Sequence, residues 1–240
     1  MGFNQTSKQR RAIFYAILAA ALYAISSPAS KILLKEMPPM MMAAFLYIGA
    51  GLEMVILSLF RKKFRKGDKE MNLGKKDLPY TIAMVVLDIA APIFLMYGLM
   101  NTAAANVSLL NNFEIVATAL IALFIFKETI SKRLWMAIVL VTVSSIILSV
   151  NDSSSFSFSI GSIYVLIACV CWGLENNCTR MISGKDPLEI VVIKGFGSGF
   201  GSLIIALSVG ERLVDFTYIP VVLLLGFVAY GLSIFYYTYA

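Results

Sequence analysis

Histidine is absent from this chain of 240 residues, and its absence removes several chemistries at once. No His-Glu-x-x-His metal site can be built, and any relay of protons must be assembled from carboxylic acids. Charge is scarce as well: Asp, Glu, Lys and Arg make up 14% of the residues, against 59% hydrophobic. That is too little polar sequence to clothe a water-soluble globule, and no hydrophilic stretch is long enough for a separate domain. Only three cysteines occur, Cys169, Cys171 and Cys178. They fall in one apolar run without zinc-like spacing, and they read as small buried side chains. Gly-x-Ser-x-Gly is missing, Asp88 lacks a Gly-x-Gly-Asp partner, and no carbonyl filter run is visible. An intramembrane enzyme and a filter-type channel therefore find no recognisable site.

What the chain does have is apolar runs about 20 residues long, the length of a membrane-crossing helix. None carries the alternation of about 10 residues expected of an outer-membrane barrel. The reading is an all-α polytopic membrane protein with eight spans, at about 12–34, 39–60, 78–100, 103–126, 132–150, 160–182, 188–209 and 217–240. The 61–77 loop holds Arg61, Lys62, Lys63, Arg65, Lys66, Lys69, Lys75 and Lys76, and the positive-inside rule assigns it to the cytoplasm. Threading from there puts Lys8, Arg10, Arg11, Lys127, Lys132, Arg133, Arg180 and Lys185 on the same side, with Lys31, Lys35 and Arg212 opposite. Topology thus accounts for the net charge of +6, and no nucleic-acid binding is inferred from it.

The chain also copies itself. A shift of 149 residues lays Tyr15 on Tyr164, Ala19 on Ala168, Tyr23 on Trp172, Lys31 on Arg180 and Pro38 on Pro187. An internal copy argues that the first span is architecture rather than a cleaved leader. Five spans separate the copies, so the second enters the membrane from the opposite face, as in the inverted repeats of many secondary transporters. Ile93-Phe94 then matches Ile234-Phe235, and Ala240 stands opposite Leu99. The expectation is a first repeat over 1–150 and an incomplete second repeat over 151–240, lacking two of ten helices.

Two stretches carry a resemblance to a known family. Asn101 to Leu110 with Phe113-Glu114, followed by Phe126 to Ser131, resembles the fourth-helix signature of the EamA-like branch of the drug/metabolite transporter superfamily. Ala168 to Arg180, with Cys171-Trp172-Gly173 and Thr179-Arg180, is similar to the opening of that family's second repeat. The resemblance implies two inverted five-helix repeats and export or exchange of small metabolites by alternating access. The family commonly has a proline shortly after the glutamate that Glu114 matches; here Ile115-Val116 follows.

Candidate pathway residues are the polar groups inside spans. A charged side chain at the centre of a membrane helix costs roughly 2.5–3.5 kcal/mol on insertion scales, so such groups are functional candidates. Asn111, Glu114 and Thr118, spaced i, i+3, i+7, are expected to share one face with Asn112 beside them. Glu175, Cys178 and Thr179 form a second stripe with Trp172 a turn earlier and Asn176 and Asn177 alongside. A carboxyl held in hydrocarbon keeps its proton until water or a cation arrives, which suits proton coupling. For Glu114 and Glu175 the alternative is hydrogen-bonded packing between helices. Lys194 either pairs with an acid on another helix, contacts an anionic solute group, or snorkels to the cytoplasmic surface. Asp88 and Glu53 read as functional or structural, and Glu128 as an exposed ion pair or interhelical tether. Gly195, Gly197, Gly199 and Gly201 form two overlapping small-xxx-small pairs for close helix packing, while Pro28, Pro92 and Pro220 are candidate kinks. Tyr23, Tyr97, Trp172, Phe235, Tyr236 and Tyr237 could line a cavity for amino-acid-like or drug-like solutes, or belong to ordinary packing. The partners implied are a small-molecule solute, the lipid bilayer and protons as a coupling ion, with a homodimer left open and no cofactor. The setting implied is a bacterial plasma membrane with a cytoplasmic N-terminus. A channel-like protein and a non-transporting assembly partner remain the alternatives.

Overall fold

The computed structural model describes residues 13–15, 17–64, 73–129, 131–149, 159–212 and 215–232. Lys8, Arg10, Arg11, Arg65, Lys66, Lys69, Ile234, Phe235, Tyr236 and Tyr237 lie outside the described residues. The chain is helical throughout the described residues: α1 Ile13–Leu33, α2 Pro39–Phe64, α3 Leu78–Asn101, α4 Ala104–Leu110, α5 Phe113–Phe124, α6 Lys132–Ser149, α7 Ile160–Met181, α8 Pro187–Val209 and α9 Ile219–Leu225. From α9 the chain continues as a π-helix, Gly226–Leu232. Among the described residues six spans are long and apolar enough to cross a membrane, with α4 and α5 together forming one of them, Ala104–Phe124. The fifth and eighth expected spans correspond to shorter helices, α6 and Phe216–Leu232. Lys132 and Arg133 occupy the first turn of α6 and subtract from its apolar length.

Two glutamates and two lysines gather the helix ends into two sets. At one end, Gly210 turns with φ 88° and sends Glu211 back over α8, its N–H bonding to Ala206 O at 2.9 Å. The Glu211 carboxylate then accepts from Met40 N at 3.3 Å and Met41 N at 3.0 Å, which caps the N-terminus of α2. Lys31 Nζ donates to Thr102 O at 2.9 Å, Met100 O at 3.2 Å and Leu99 O. A cation there neutralises the negative end of α3. At the opposite end, Leu73 N donates to Glu189 Oε2 at 3.1 Å and Lys185 Nζ lies 3.0 Å from Asp77 Oδ2. The Gly74 N–H and the lysine beside it hold the Asp77 carboxyl below the usual carboxylate range. Lys31 at the C-terminal end of α1 and Ser159 at the N-terminal end of α7 both reach the Asn101 end of α3, so α1 and α7 run in opposite directions.

Packing between helices rests on small residues, because apolar side chains gain little by leaving lipid for one another. A Cβ added at Gly195 would lie 2.5 Å from Gly51 Cα, and one at Gly199 2.9 Å from Ile48 N, so this pair presses α8 against α2. Gly197 and Gly201 turn instead to Val85 and Ile89 of α3. The two overlapping pairs read from the sequence thus serve two different neighbours. Gly98 and Gly161 let α3 and α7 meet, with a Cβ at Gly161 only 2.9 Å from Asn101 C. The core between them is filled by Met42, Leu46, Met96, Leu99, Leu110, Val165 and Trp172, while Phe124, Met136, Ile204 and Leu207 face outward.

The prolines depart from expectation in part. Pro92 does sit inside α3, where its missing N–H leaves the Asp88 carbonyl without its usual helical donor. Pro220 opens α9 instead of kinking it, a position where the N–H is unsatisfied in any helix. Pro28 follows a turn at Ile25, in the first turn of Ser26–Leu33.

Candidate functional site

The fourth span is interrupted at Asn111-Asn112 without any proline. Asn112 N bonds to Leu109 O at 3.2 Å, Glu114 N to Asn111 O at 3.1 Å and Ile115 N to Asn112 O at 3.1 Å. The chain has tightened to i→i−3 bonding, so Leu110 O loses the donor it would have in a continuous helix. The thiol of Cys169 on α7 fills that gap, with Sγ 3.6 Å from Leu110 O. Cys169 is buried, as read from the sequence, but it also supplies a donor.

Asn111 lies in this tightened turn between α4 and α5. Its Nδ2 donates to Tyr23 of α1 at 3.2 Å and its Oδ1 lies 3.8 Å from Cys169 Sγ of α7, and Glu114 and Thr118 meet α7 as well. There Asn176 Nδ2 donates to Glu114 Oε1 at 2.8 Å and to Thr118 Oγ1 at 3.2 Å. Asn177 Nδ2 bonds to Thr118 O at 3.0 Å. Asn112 turns back on its own backbone, to Leu109 O and Ser108 O, so it closes the break and takes no part in this cluster.

A cavity of about 370 Å³ borders the Glu114 cluster. Its lining runs from Glu114, Thr118 and Asn176 along Ala119, Ala122 and Leu134 to Glu128 and Arg180. Lys127, at φ 57°, reverses the chain after α5 so that Glu128 N bonds to Ala122 O at 3.0 Å. Glu128 is thereby aimed at Arg180 across the end of the cavity, and the two form an ion pair. Both side chains are more than 40% exposed, so the pair is a tether of small energetic weight. Arg180→Ala should cost less than about 1 kcal/mol in thermal or denaturant unfolding.

On the other flank of α7 lies a charge cluster. Lys194 of α8 lies 2.9 Å from Glu175 Oε1 and 3.4 Å from Asp88 Oδ2 of α3. The carboxylates are 1% exposed, the lysine 24%. Lys194 therefore pairs, with two acids from two other helices. Tyr47 of α2 donates to Asp88 Oδ1 at 3.3 Å, Trp172 Nε1 donates to Tyr47 Oη at 3.2 Å, and Thr179 donates to Glu175. Tyr47 was not singled out in the sequence; the available signal is a tyrosine within an apolar span, whose hydroxyl needs a partner when buried. Since one lysine faces two carboxylates, the cluster carries a net negative charge or retains a proton on one acid.

The structure thus gathers Glu114, Thr118 and Asn176 beside the cavity, and Asp88, Glu175, Lys194 and Trp172 in the charge cluster. Glu114 lines the cavity and Glu175 is outside its lining. Tyr97 joins neither group; its ring lies 5.9 Å from that of Tyr164, near the Asn101 end of α3. No group of three or more metal-ligating side chains occurs among the described residues.

Comparison with known proteins adds three findings. Residues 10–150 match the EamA-like transporter family. The chain is 28% identical over 207 residues to an uncharacterized transporter of Methanothermobacter thermautotrophicus, an alignment covering 81% of this chain and 60% of that protein. It therefore spans about 60% of the length of this curated relative. A solved crystal structure superposes with a TM-score of 0.65 at 14% identity, over 95% of this chain and 77% of the other; the likeness is one of fold.

Proposed function

This chain belongs to the EamA-like transporter family, and from that premise we propose that it moves small amphipathic metabolites across a bacterial plasma membrane by alternating access. The observation that carries the reading is the cavity of about 370 Å³, which joins the carboxyl of Glu114, deep in the fourth span, to the Glu128–Arg180 pair at a helix end. An acid and an amide at one end and a guanidinium at the other suit a solute with an amine and a carboxylate, such as an amino acid.

Alternating access needs two arrangements of one machine. The opposed directions of α1 and α7, together with the offset of 149 residues, support an inverted repeat. Lys31 and Arg180, equivalent in that repeat, each tie the C-terminal end of their own helix to the end of another. The surplus carboxyl of the Lys194 cluster is a store for one proton, which makes protons the natural coupling ion. The basic residues of the 61–77 loop support a cytoplasmic N-terminus. Nothing in this scheme requires the chain to make or break a covalent bond.

Untargeted comparison of metabolites inside and outside cells, with and without the chain, should reveal one class of small solute whose distribution changes. Counterflow of that solute in proteoliposomes then separates a carrier from a channel. Glu114→Gln keeps the shape but removes a charged partner, an interaction of about 1.5–3 kcal/mol, so affinity should fall about ten- to a hundredfold. Wild-type counterflow by both Glu114→Gln and Glu175→Gln would remove these residues from the pathway.

A further inference from the structure

Glu53, in the middle of α2, is 0% exposed. Among the described residues neither carboxyl oxygen has a hydrogen-bond partner and no cation is paired with it. The acids of the pathway differ in this respect. Glu114 accepts from Asn176, and Asp88 and Glu175 share Lys194.

The surroundings of Glu53 are built closely around it. α2 and α9 approach through bare backbone, since a Cβ at Gly49 would lie 3.0 Å from Leu223 C and one at Gly226 2.9 Å from Leu46 C. One turn further on, the Glu53 carboxyl lies against Gly231, where an added Cβ would overlap Oε2. Gly231 belongs to the π-helix Gly226–Leu232. A π-helix is a rare backbone state that recurs at functional sites. The acid therefore occupies a fitted slot at a helix-to-π contact, and the contact excludes any side chain at position 231.

The titratable groups on the elements packed against α2 are engaged elsewhere. Tyr230 of the π-helix accepts from Ser26 at 3.2 Å, Lys194 of α8 and Asp88 of α3 belong to the charge cluster, and Tyr47 of α2 itself bonds to Asp88. An ionised carboxylate left without any of these would carry the full penalty of a bare buried charge.

We propose that Glu53 is a proton-binding site separate from the Lys194 cluster, loaded in the arrangement described here and emptied when Gly226–Leu232 draws away from α2. Loading leaves a neutral carboxyl that the tight α2–π contact tolerates. Release sends the proton to water and leaves a carboxylate that the closed contact cannot hold, so the charge forces the two segments apart. The protonation claim is independent of the transported solute; only its use in coupling rests on the carrier reading.

Infrared difference spectroscopy of the purified chain in lipid nanodiscs tests the site directly. A carbonyl band from a protonated carboxyl without hydrogen bonds should be present at neutral pH, disappear in Glu53→Gln, and persist in Glu175→Gln. Because glutamine resembles the neutral acid, Glu53→Gln should fold, elute as the wild type does, and lose the part of the fall in unfolding midpoint that begins where a free carboxyl ionises, about pH 4, and continues toward neutral pH. Gly231→Ala should shift or abolish the band by pushing the carboxyl from its slot. An unchanged band in Glu53→Gln, or an identical pH dependence of unfolding from about pH 4 to neutral in that variant, would overturn the proposal even if the chain transports. A lost band with no measurable transport would leave the site standing and remove the carrier reading instead.

Discussion

Lys194→Met should destabilise the protein by about 3–5 kcal/mol, the usual cost of removing one partner from a buried ion pair. The reason is what remains: Asp88 and Glu175, both 1% exposed, would face each other without a cation. Tyr47 and Thr179 could still donate to them, but hydroxyl dipoles do not replace a charge. Unfolding by denaturant in mixed micelles measures the loss. The triple variant Lys194→Met, Asp88→Asn, Glu175→Gln should recover much of it, since replacing a whole buried charge group by neutral residues is often close to neutral. A single Lys194→Met variant as stable as the wild type would mean that the cluster is not held together by charge.

Gly195→Leu should be the most damaging of the glycine substitutions on α8. Its Cβ would meet Gly51 Cα at 2.5 Å and Gly51 N at 2.7 Å, and backbone cannot swing aside as a side chain can. The cost expected of overpacking is about 1–3 kcal/mol, and α8 would have to lift from α2, carrying Lys194, its immediate neighbour, away from Glu175. Gly184→Leu is the control, because no atom lies within 4 Å of a Cβ placed there. Equal behaviour of the two variants in unfolding would contradict the close approach of α2 and α8.

Much of the architecture was legible because lipid imposes simple rules. Runs of about 20 apolar residues set α2, α3, α7 and α8 to within a few positions, and the glycine spacing on α8 announced two close contacts. The break in the fourth span was not legible as such: no proline marks it, and the turn at Asn111-Asn112 depends on Tyr23 and Cys169, distant in sequence. That break places Asn111 outside α5, in a turn whose partners come from α1 and α7. Buried charge told which residues matter without telling which belong together. Lys194 needed an acid, but only the folded chain brings it to both Asp88 and Glu175. Tyr47 escaped notice because a lone tyrosine in a membrane span is usually packing or an interface anchor.

Asn176 and Glu175 are consecutive residues of α7, yet one serves the cavity and the other the lysine. Successive side chains on a helix point about 100° apart, so a small roll of this rod about its own axis swings one toward its partner as it swings the other away. In the alternating-access scheme proposed above, the two clusters would be opposite arms of a see-saw, with Gly173, whose absent side chain leaves room for Ala117, at the pivot.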